Sequence, residues 1–469
     1  MQPTNSWFRS ITAAALLVTC VSACGGGSKG TTSTTAPAPN LVSIAITPTN
    51  SSIQLGLTQQ FTATGNYSDG SSAAITKDIN WTSTSVAATI VQSTGIATSK
   101  TIGTETITAT VGKISGNTKL TVQAPYAAVS AGGSHSVILK ANGTLFSSGL
   151  NRTGQLGDGT STDRPDFAPL GTANTWSMLG SGEFHNIAIR TDGSLWAWGF
   201  NQNGQLGDAS FVDKVNPSKI GSASWISIAA GKSHSVGIKK DGTLWSWGRN
   251  FNGQLGDGTV IDRVEPVQIG TVKTWTSVTA GAAHTIARRS DGTIWGWGNN
   301  TNGQVGTGPS ITVTSPTQIG IATWVSISAG ANHSLAIRAD GALFSWGAND
   351  QGQLGNGVLT DRLNPSQIGN LTTWSVVTAG AKHSLALKTD GSLWSWGDNS
   401  NGQLGIGNIQ NQLNPVQIGD SKMWKAISAG QFHTLGIRSD GTLWVWGRNE
   451  EGQLGDGKRV SSATPINIP

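Results

Sequence analysis

Seven histidines are the first residues in this chain that could carry chemistry, because imidazole serves both as a general base and as a metal ligand. They are all the histidines of the protein, and consecutive ones lie 49 or 50 residues apart: His135, His185, His234, His284, His333, His383 and His433. Equivalent positions of seven repeats around a ring are too far apart to share one metal ion, and none has a carboxylate at a fixed offset. We therefore expect these histidines to be structural, bonding the backbone or the neighbouring repeat.

Aspartates in a recurring loop, N-x-x-G-Q-L-G-D-G, superficially suggest calcium; they are Asp158, Asp208, Asp257 and Asp456. The same loop position is neutral in the other three repeats, where it holds Thr307, Asn356 and Ile406. The spacing is also not that of a calcium-binding loop. We predict a turn and no metal site.

Other catalytic signatures are missing from the sequence. There is no nucleophile elbow, no phosphate-binding loop and no H-E-x-x-H pair. Acid-base catalysis by isolated carboxylates stays open, but no motif points to it. We expect a protein that is not an enzyme and has no cofactor.

The elements that position these residues are repeated strands between Tyr126 and Pro469. Each repeat contains four β-like runs, and an Asp-Gly or Asn-Gly pair, such as Asp192-Gly193, suits a two-residue hairpin turn between the second and third. In L-W-S-W-G, Trp394 and Trp396 point to one side of the strand and Leu393 to the other. A strand with apolar bulk on both faces lies between two neighbours, which predicts seven four-stranded blades in a ring.

One face of this ring carries the differences between repeats. The A-G-x-x-H loops and the W-G-x-N-x-x-G loops should emerge together, opposite the D-G turns. Departures from symmetry on that face include charged residues such as Glu183 and Lys232, and Phe interleaved with Arg is typical of interface hot spots. We predict a partner-binding rim at Phe184, Phe200, Arg249, Phe251, Phe432 and Arg448. The alternative is that these aromatic rings fold back against their own loops.

Arg288 is a separate anomaly, because the other six repeats have Ile or Leu at its position in a strand that should be buried. It either lines a central channel or marks a local register change. A buried charge needs a carboxylate or water as partner. The sequence leaves open whether Arg288 has a functional role or is a substitution without functional effect.

Composition argues against several classes of function. The 469 residues include 63 Gly and 19 Trp, only 12% are charged, and the formal net charge is +5. The Lys and Arg residues do not cluster, so the sequence predicts no nucleic-acid partner. We expect a monomer.

The N-terminus carries targeting information. Arg9 and the apolar run from Ile11 to Val21 indicate an export signal that is too short to span a bilayer as a helix. Val21-Ser22-Ala23-Cys24 resembles a bacterial lipobox, which implies cleavage after residues 1–23, a lipid on Cys24 and membrane attachment in the cell envelope. The alternative is ordinary cleavage and secretion without an anchor. Residues 24–40 have the Gly/Ser/Thr/Pro composition of a flexible tether.

Residues 41–123 contain six or seven short alternating runs separated by turn residues, which predicts a small antiparallel sandwich. Their motifs Q-F-T-A-T-G-N-Y-S-D-G-S, W-T-S-T and G-T-E-T-I-T-A-T-V-G resemble the bacterial immunoglobulin-like group 2 family. This resemblance implies a spacer of surface proteins. We expect Trp81 to lie in the core between the sheets.

Residues 126–469 resemble the regulator of chromosome condensation family of seven-bladed propellers, whose signature A-G-x-x-H-[ST], D-G-x-[LI]-[WF]-x-W-G and N-G-Q-[LV]-G recurs here, with variations, in seven repeats. The first copy departs mildly, with Tyr126 for the leading Trp and F-S-S-G for W-x-W-G. We expect the strand that starts near Ala127 to pair beside the C-terminal strand and close the ring.

These observations together predict an all-β, exported and lipid-anchored protein whose propeller binds another protein through one rim. Guanine-nucleotide exchange, which the resemblance to the eukaryotic founder implies, is an alternative. Export and the even repeat spacing, which leaves no room for a large blade insertion, weigh against it. A lectin-like carbohydrate-binding module is a further alternative.

Overall fold

The computed structural model of the protein describes residues 38–468, all of them in strands, turns and connecting segments. The predicted signal, Cys24 and most of the predicted tether lie outside the described residues. Among the described residues, no helix is long and apolar enough to cross a bilayer.

The N-terminal unit is a β-sandwich whose strands form three sheets, ordered β1-β4-β5, β2-β10-β9-β6 and β3-β8-β7. Trp81 is buried in its core and packs against Phe61, with ring centroids 6.4 Å apart, so the prediction for Trp81 is confirmed. The strands are β1 (Leu41–Thr47), β2 (Ser51–Gln54), β3 (Thr58–Gln60), β4 (Thr62–Tyr67), β5 (Ser72–Ile75), β6 (Asn80–Ser83), β7 (Ala88–Ile90), β8 (Ile96–Ser99), β9 (Gly103–Val111) and β10 (Ile114–Gln123).

The histidine repeats form a propeller of antiparallel sheets. Repeat 1 contains β11 (Tyr126–Ala131), β12 (His135–Lys140), β13 (Leu145–Gly149) and β14 (Arg164–Pro169). Repeats 2 and 3 share one seven-stranded sheet made of β15 (Trp176–Ser181), β16 (His185–Arg190), β17 (Ser194–Gly199), β18 (Lys214–Ala230), β19 (His234–Lys239), β20 (Leu244–Gly248) and β21 (Arg263–Gln268). The long β18 is the outer strand of repeat 2 and continues as the inner strand of repeat 3.

The remaining four repeats are separate four-stranded sheets. Repeat 4 has β22 (Trp275–Ala280), β23 (His284–Arg289), β24 (Ile294–Asn299) and β25 (Thr312–Gln318). Repeat 5 has β26 (Trp324–Ala329), β27 (His333–Arg338), β28 (Leu343–Gly347) and β29 (Arg362–Gln367). Repeat 6 has β30 (Trp374–Ala379), β31 (His383–Lys388), β32 (Leu393–Gly397) and β33 (Gln412–Gln417), and repeat 7 has β34 (Trp424–Ala429), β35 (His433–Arg438), β36 (Leu443–Gly447) and β37 (Ser462–Ile468).

The core of the propeller lies between repeats. In one cluster, Leu335 and Leu343 of repeat 5 pack against Trp374 and Trp396 of repeat 6. The Trp that precedes the Gly of each [WF]-x-W-G motif is fully buried: Trp198, Trp247, Trp297, Trp346, Trp396 and Trp446. Each repeat therefore buries its apolar faces only against its neighbours, as stacked repeats must.

The ring closes differently from the prediction. Within residues 38–468, β11 pairs only with β12 and β37 pairs only with β36, so these residues exchange no strand between the two ends of the propeller. The physical reason is that the first repeat starts with its inner strand, β11, and the last ends with its outer strand, β37. Repeat 7 therefore has four strands of its own and needs none from repeat 1. Closure comes instead from contacts between repeats 7 and 1, including the Ala131 amide donating to Ser428 Oγ at 3.0 Å.

The connection between the two units is short. Only Ala124 and Pro125 separate β10 from β11, and Ala124 is buried. The Tyr126 amide donates to the Gly441 carbonyl at 3.0 Å, and Lys140 Nζ donates to Gln123 Oε1 at 2.5 Å. The Lys140 contact attaches the end of the sandwich to the D-G side of the propeller, and the Tyr126 bond joins repeats 7 and 1 at the same place.

Candidate partner-binding face

The seven histidines join consecutive repeats. Each Nε2 lies 2.9–3.2 Å from a Ser, Thr or Asn side chain of the following repeat, and His433 bonds Ser136 of repeat 1 in the same way. That partner in turn donates to a glutamine backbone carbonyl of the preceding repeat at 2.6–3.0 Å. The histidines are therefore links of a closed circle of bonds between repeats.

These bonds fix the protonation of the imidazoles. In six repeats the partner hydroxyl gives its only hydrogen to the glutamine carbonyl and must accept from the imidazole, and at His135 the partner is the Asn186 Oδ1 atom, which can only accept, so Nε2 carries the hydrogen. Nδ1 is buried and has no bonding partner among the described residues. Burial lowers the pKa of every one of these histidines, to about 3 for His185, His284, His383 and His433 and to about 4 for His135, His234 and His333. A fully buried, neutral imidazole has no access to a substrate.

The loop aspartates accept hydrogen bonds from nearby residues of the protein itself. Asp158 accepts from the Asn151 side chain at 3.2 Å and from the Thr160 amide at 3.0 Å, and it pairs with Arg164 at 2.7 Å. Asp257 has the equivalent contacts with Asn250, Thr259 and Arg263. Within residues 38–468 there is no group of three acidic, His or Cys side chains that could hold a metal ion.

The two loop families emerge on one face, as predicted. In all seven repeats, the residue after W-G or its equivalent donates its amide hydrogen to the carbonyl of the residue before the histidine. Examples are Phe200 to Phe184 and Arg249 to Ser233, both at 2.9 Å. We call this side of the propeller the loop face, and the opposite side, where the Asp-Gly and Asn-Gly turns lie, the turn face.

The predicted rim residues have two different environments. Phe184 and Phe200 are half-buried and stack edge to face with centroids 6.4 Å apart, and Arg448 lies over the half-buried Phe432 ring at 5.9 Å while it pairs with Glu450. For these three rings the structure shows the folded-back arrangement. Phe251, by contrast, is 72% exposed, and its neighbour Arg249 is exposed as well.

The centre of the loop face holds a feature that the sequence analysis missed. The A-G-x-x loops of all the repeats converge on a cavity of about 270 Å³ lined mainly by Gly and Ala. Glu183 and Lys232 form an ion pair of 3.0 Å at its edge, and Asn332 and Gln431 also line it. The only sequence signal was that Glu183 and Lys232 depart from the small residues found at their position in most repeats.

Arg288 contacts the next repeat. Its strand keeps the regular register, with Arg288 opposite Ser277 and Ile294, so the register change considered above is wrong. The side chain is half-buried, and Nη1 donates to the Trp324 carbonyl at 3.2 Å. The partner is therefore a backbone carbonyl of repeat 5.

Comparison with known families agrees with this architecture. The RCC1-like domain matches residues 271–469, two descriptions of the regulator of chromosome condensation (RCC1) repeat match residues 126–155, 192–238, 225–254 and 241–288, and the bacterial Ig-like domain (group 2) matches residues 41–122. The chain thus contains RCC1 repeats and a bacterial Ig-like domain.

Similar proteins include Ice-binding protein 1 of Shewanella frigidimarina (strain NCIMB 400), which is 33% identical over 141 residues. That match covers 29% of this chain and 14% of the relative. Among solved structures, human WBSCR16 is 21% identical with a TM-score of 0.64, covering 70% of this chain and 94% of its own. Prp20p from Saccharomyces cerevisiae is 23% identical with a TM-score of 0.63, covering 71% and 87%. The solved structures show a shared fold alone.

Proposed function

We propose that this all-β chain, which carries RCC1 repeats behind a bacterial Ig-like domain, is a non-enzymatic protein of the cell envelope that binds another protein through its loop face. In this proposal the repeats form a seven-bladed ring, the sandwich is a spacer and Cys24 carries a lipid. The observation that carries it is the asymmetry of the loop face, on an otherwise repetitive scaffold.

The asymmetry is concentrated in neighbouring repeats. Phe184 and Phe200 belong to repeat 2, Arg249 and Phe251 to repeat 3, and Phe432 to repeat 7. Since repeat 1 separates repeat 7 from repeat 2, the aromatic residues occupy one arc of the ring. Aromatic and Arg side chains on rigid loops are the usual anchors of protein interfaces.

The chemistry of the face supports binding over catalysis. The histidines are buried and neutral, and the loop aspartates hold turns together. The side chains on the loop face that remain exposed, such as Phe251 and Arg249, are suited to contact with a partner surface.

Capture of envelope and secreted proteins of its own source on the full-length protein, identified by mass spectrometry, tests this proposal. We expect a captured protein to be lost with Phe251→Ser combined with Arg249→Ser, because both side chains are exposed and their removal leaves the core intact. Ile321→Ser is a matched control, since Ile321 is 95% exposed and follows β25 on the turn face. Equal capture by all three proteins would contradict a binding site on this arc.

Export and lipid attachment are supported by the lipobox-like sequence and by the bacterial Ig-like domain. We expect Cys24→Ser to move the protein from the membrane fraction to the soluble fraction and to abolish incorporation of labelled fatty acid. Cys20→Ser is the control and should leave both unchanged. Lipid labelling of the Cys24→Ser protein would overturn the assignment of the anchor.

A further inference from the structure

A second cavity lies on the turn side of the junction where repeats 7 and 1 close the ring. Its volume is about 500 Å³, and it is lined by residues of the first and last repeats and by Gln123 at the end of the sandwich. Concave sites where units meet are common places for small ligands. The cavity shares no lining residue with the cavity at the centre of the loop face.

Repeat 1 has smaller side chains beside this cavity than most other repeats have at the equivalent positions. Tyr126 takes the place of the leading Trp, Phe146 the place of the first Trp of W-x-W-G, and Ser148 the place of the second. Phe167 of β14 fills part of the space, since its ring lies against Gly455 where other repeats place the second Trp. The rest of the space stays open between Phe146, Ile466 and Ile468.

Lys140 lines this cavity and is only 8% exposed. Its Nζ donates to the neutral amide of Gln123 and lies over the rings of Tyr126 and Phe146, at 5.0 and 4.7 Å from their centroids. No carboxylate of the described residues lies within 4.0 Å of it, and burial lowers the pKa of its ammonium group. A buried cation without a counter-ion is unfavourable.

The other repeats supply the missing charge themselves. Each places a cation at the position of Lys140 and an aspartate two residues later, in the D-G turn. Asp241 and Asp390, for example, raise the pKa of Lys239 and Lys388 and so offset part of the effect of burial. In repeat 1 the turn residue is Asn142. Repeat 7 has a cavity of about 390 Å³ at the equivalent place, lined by Trp424, Arg438 and Trp444, but its turn keeps Asp440. Repeat 1 is thus the repeat in which the cation beside the cavity has no carboxylate in its own turn.

We infer that the cavity at the ring junction binds a small organic carboxylate with an apolar body, whose carboxylate group pairs with Lys140. The aromatic and aliphatic walls would hold the body of the ligand, and Lys140 would supply a charge-assisted bond to its anionic end. The exposed Asp166 and Lys458 and the half-buried Asp456 also line the cavity, so that with Lys140 its lining carries two acidic and two basic side chains.

Calorimetric titration of the full-length protein with phenylacetate, and with phenylacetamide as the neutral match, tests this inference. We expect saturable binding of phenylacetate, and binding of the amide that is weaker by about ten- to a hundredfold, as expected for a lost charge-assisted bond. Lys140→Met should remove this preference, while Lys239→Met, at the equivalent position of repeat 3, should retain it. Absence of saturable phenylacetate binding, or an unchanged preference in Lys140→Met, would overturn the inference.

Two further variants separate the ligand site from effects on folding. Asn142→Asp restores the carboxylate of the other repeats and should weaken phenylacetate binding by competing for Lys140. Phe146→Trp narrows the cavity and should weaken phenylacetate binding without lowering the unfolding temperature. If phenylacetate binds both variants as tightly as the unaltered protein, the ligand lies elsewhere and the inference fails.

Discussion

Single residues of the propeller illustrate how burial keeps an ionisable side chain neutral and out of reach of substrates. His185 donates to Ser235 at 2.9 Å, is fully buried, and has its pKa lowered to about 3. Its ring also sets the identity of the glycine three residues earlier, because a Cβ on Gly182 would lie 2.5 Å from His185 Cε1. The A-G-x-x-H motif is therefore a packing motif.

Acid should destabilise the propeller between pH 6.5 and about 4. In this window the unfolded chain binds protons on its histidines, whereas the folded protein keeps them neutral, so the free energy of unfolding falls as pH falls. The loss is up to about 1.4 kcal/mol per pH unit for each histidine that titrates on unfolding. Thermal unfolding measured from pH 7.5 to 4.5 checks this; a flat profile above pH 5 would contradict neutral, buried histidines.

Gly182→Ala should lower the free energy of unfolding by about 1–3 kcal/mol, the usual range for overpacking. The new methyl group would meet both His185 and the Gly231 carbonyl. Gly180→Ala in the same strand is the matched control, because its nearest contact is 3.4 Å away and other repeats carry larger residues there. Chemical denaturation of both variants measures the difference, and equal stabilities would refute the role assigned to Gly182.

At the scale of elements, the inner strands are joined by a ladder of hydroxyl groups. Ser130 Oγ accepts from the Ser181 amide at 2.8 Å, and Thr279 and Ser328 accept from Ala329 and Ala379 in the same way. Gly180 and Ala229 occupy this position in repeats 2 and 3, so they supply no hydroxyl. The junctions after these two repeats depend on other contacts, such as the pair of Glu183 and Lys232.

Gly180→Ser should add the rung that is missing after repeat 2, because a Cβ on Gly180 would lie 3.6 Å from the Ala230 amide nitrogen. A net hydrogen bond contributes about 0.5–1.5 kcal/mol. We therefore expect the Ser variant to be more stable than Gly180→Ala by that amount in chemical denaturation. A Ser variant that is no more stable than the Ala variant would show that the new hydroxyl does not reach the amide.

The elements themselves could be predicted from the sequence. The alternation in L-W-S-W-G and the D-G turns give the strands and their hairpins; Gly193, for example, has a φ of 82° and donates to Arg190 at 2.8 Å. What could not be predicted is where sheets end. The segment that connects repeats 2 and 3 after Ile220 is part of strand β18. The equally short segment that connects repeats 4 and 5 after Ile319 is not part of a strand. Local alternation is the same in both cases.

On the scale of the whole molecule, the described part of the chain closes the ring without a strand shared between repeats 7 and 1. Repeats 7 and 1 meet through the apolar cluster of Tyr126, Ile138, Leu435 and Leu443, and through the His433 and Ser136 bond. Sequence alone did not distinguish this arrangement from strand exchange. The alternation of apolar and polar residues identifies a strand, but it does not show with which strand the first or the last one pairs. The central cavity was missed for a related reason, since its lining residues meet only once the ring is closed.

Ser136→Ala should affect the ring more widely than Ser334→Ala, although each removes the acceptor of one histidine, His433 or His284. Repeats 4 and 5 remain linked by the chain when their bond is lost, but repeats 7 and 1 are not. Hydrogen exchange by mass spectrometry should show faster exchange in β11, β12, β34 and β35 for Ser136→Ala, and a local change for Ser334→Ala. Equal, local changes in both variants would indicate that closure does not depend on this bond.

The seven-stranded sheet has a consequence for the thermodynamics of recognition. Phe184, Phe200, Arg249 and Phe251 all lie on the two repeats that β18 joins into a single hydrogen-bonded sheet. Loops on such a continuous platform have less conformational entropy to lose on association, and preorganisation of this kind raises affinity without new contacts. A partner that docks on this arc should therefore bind with a small entropic penalty and with little rearrangement of the propeller.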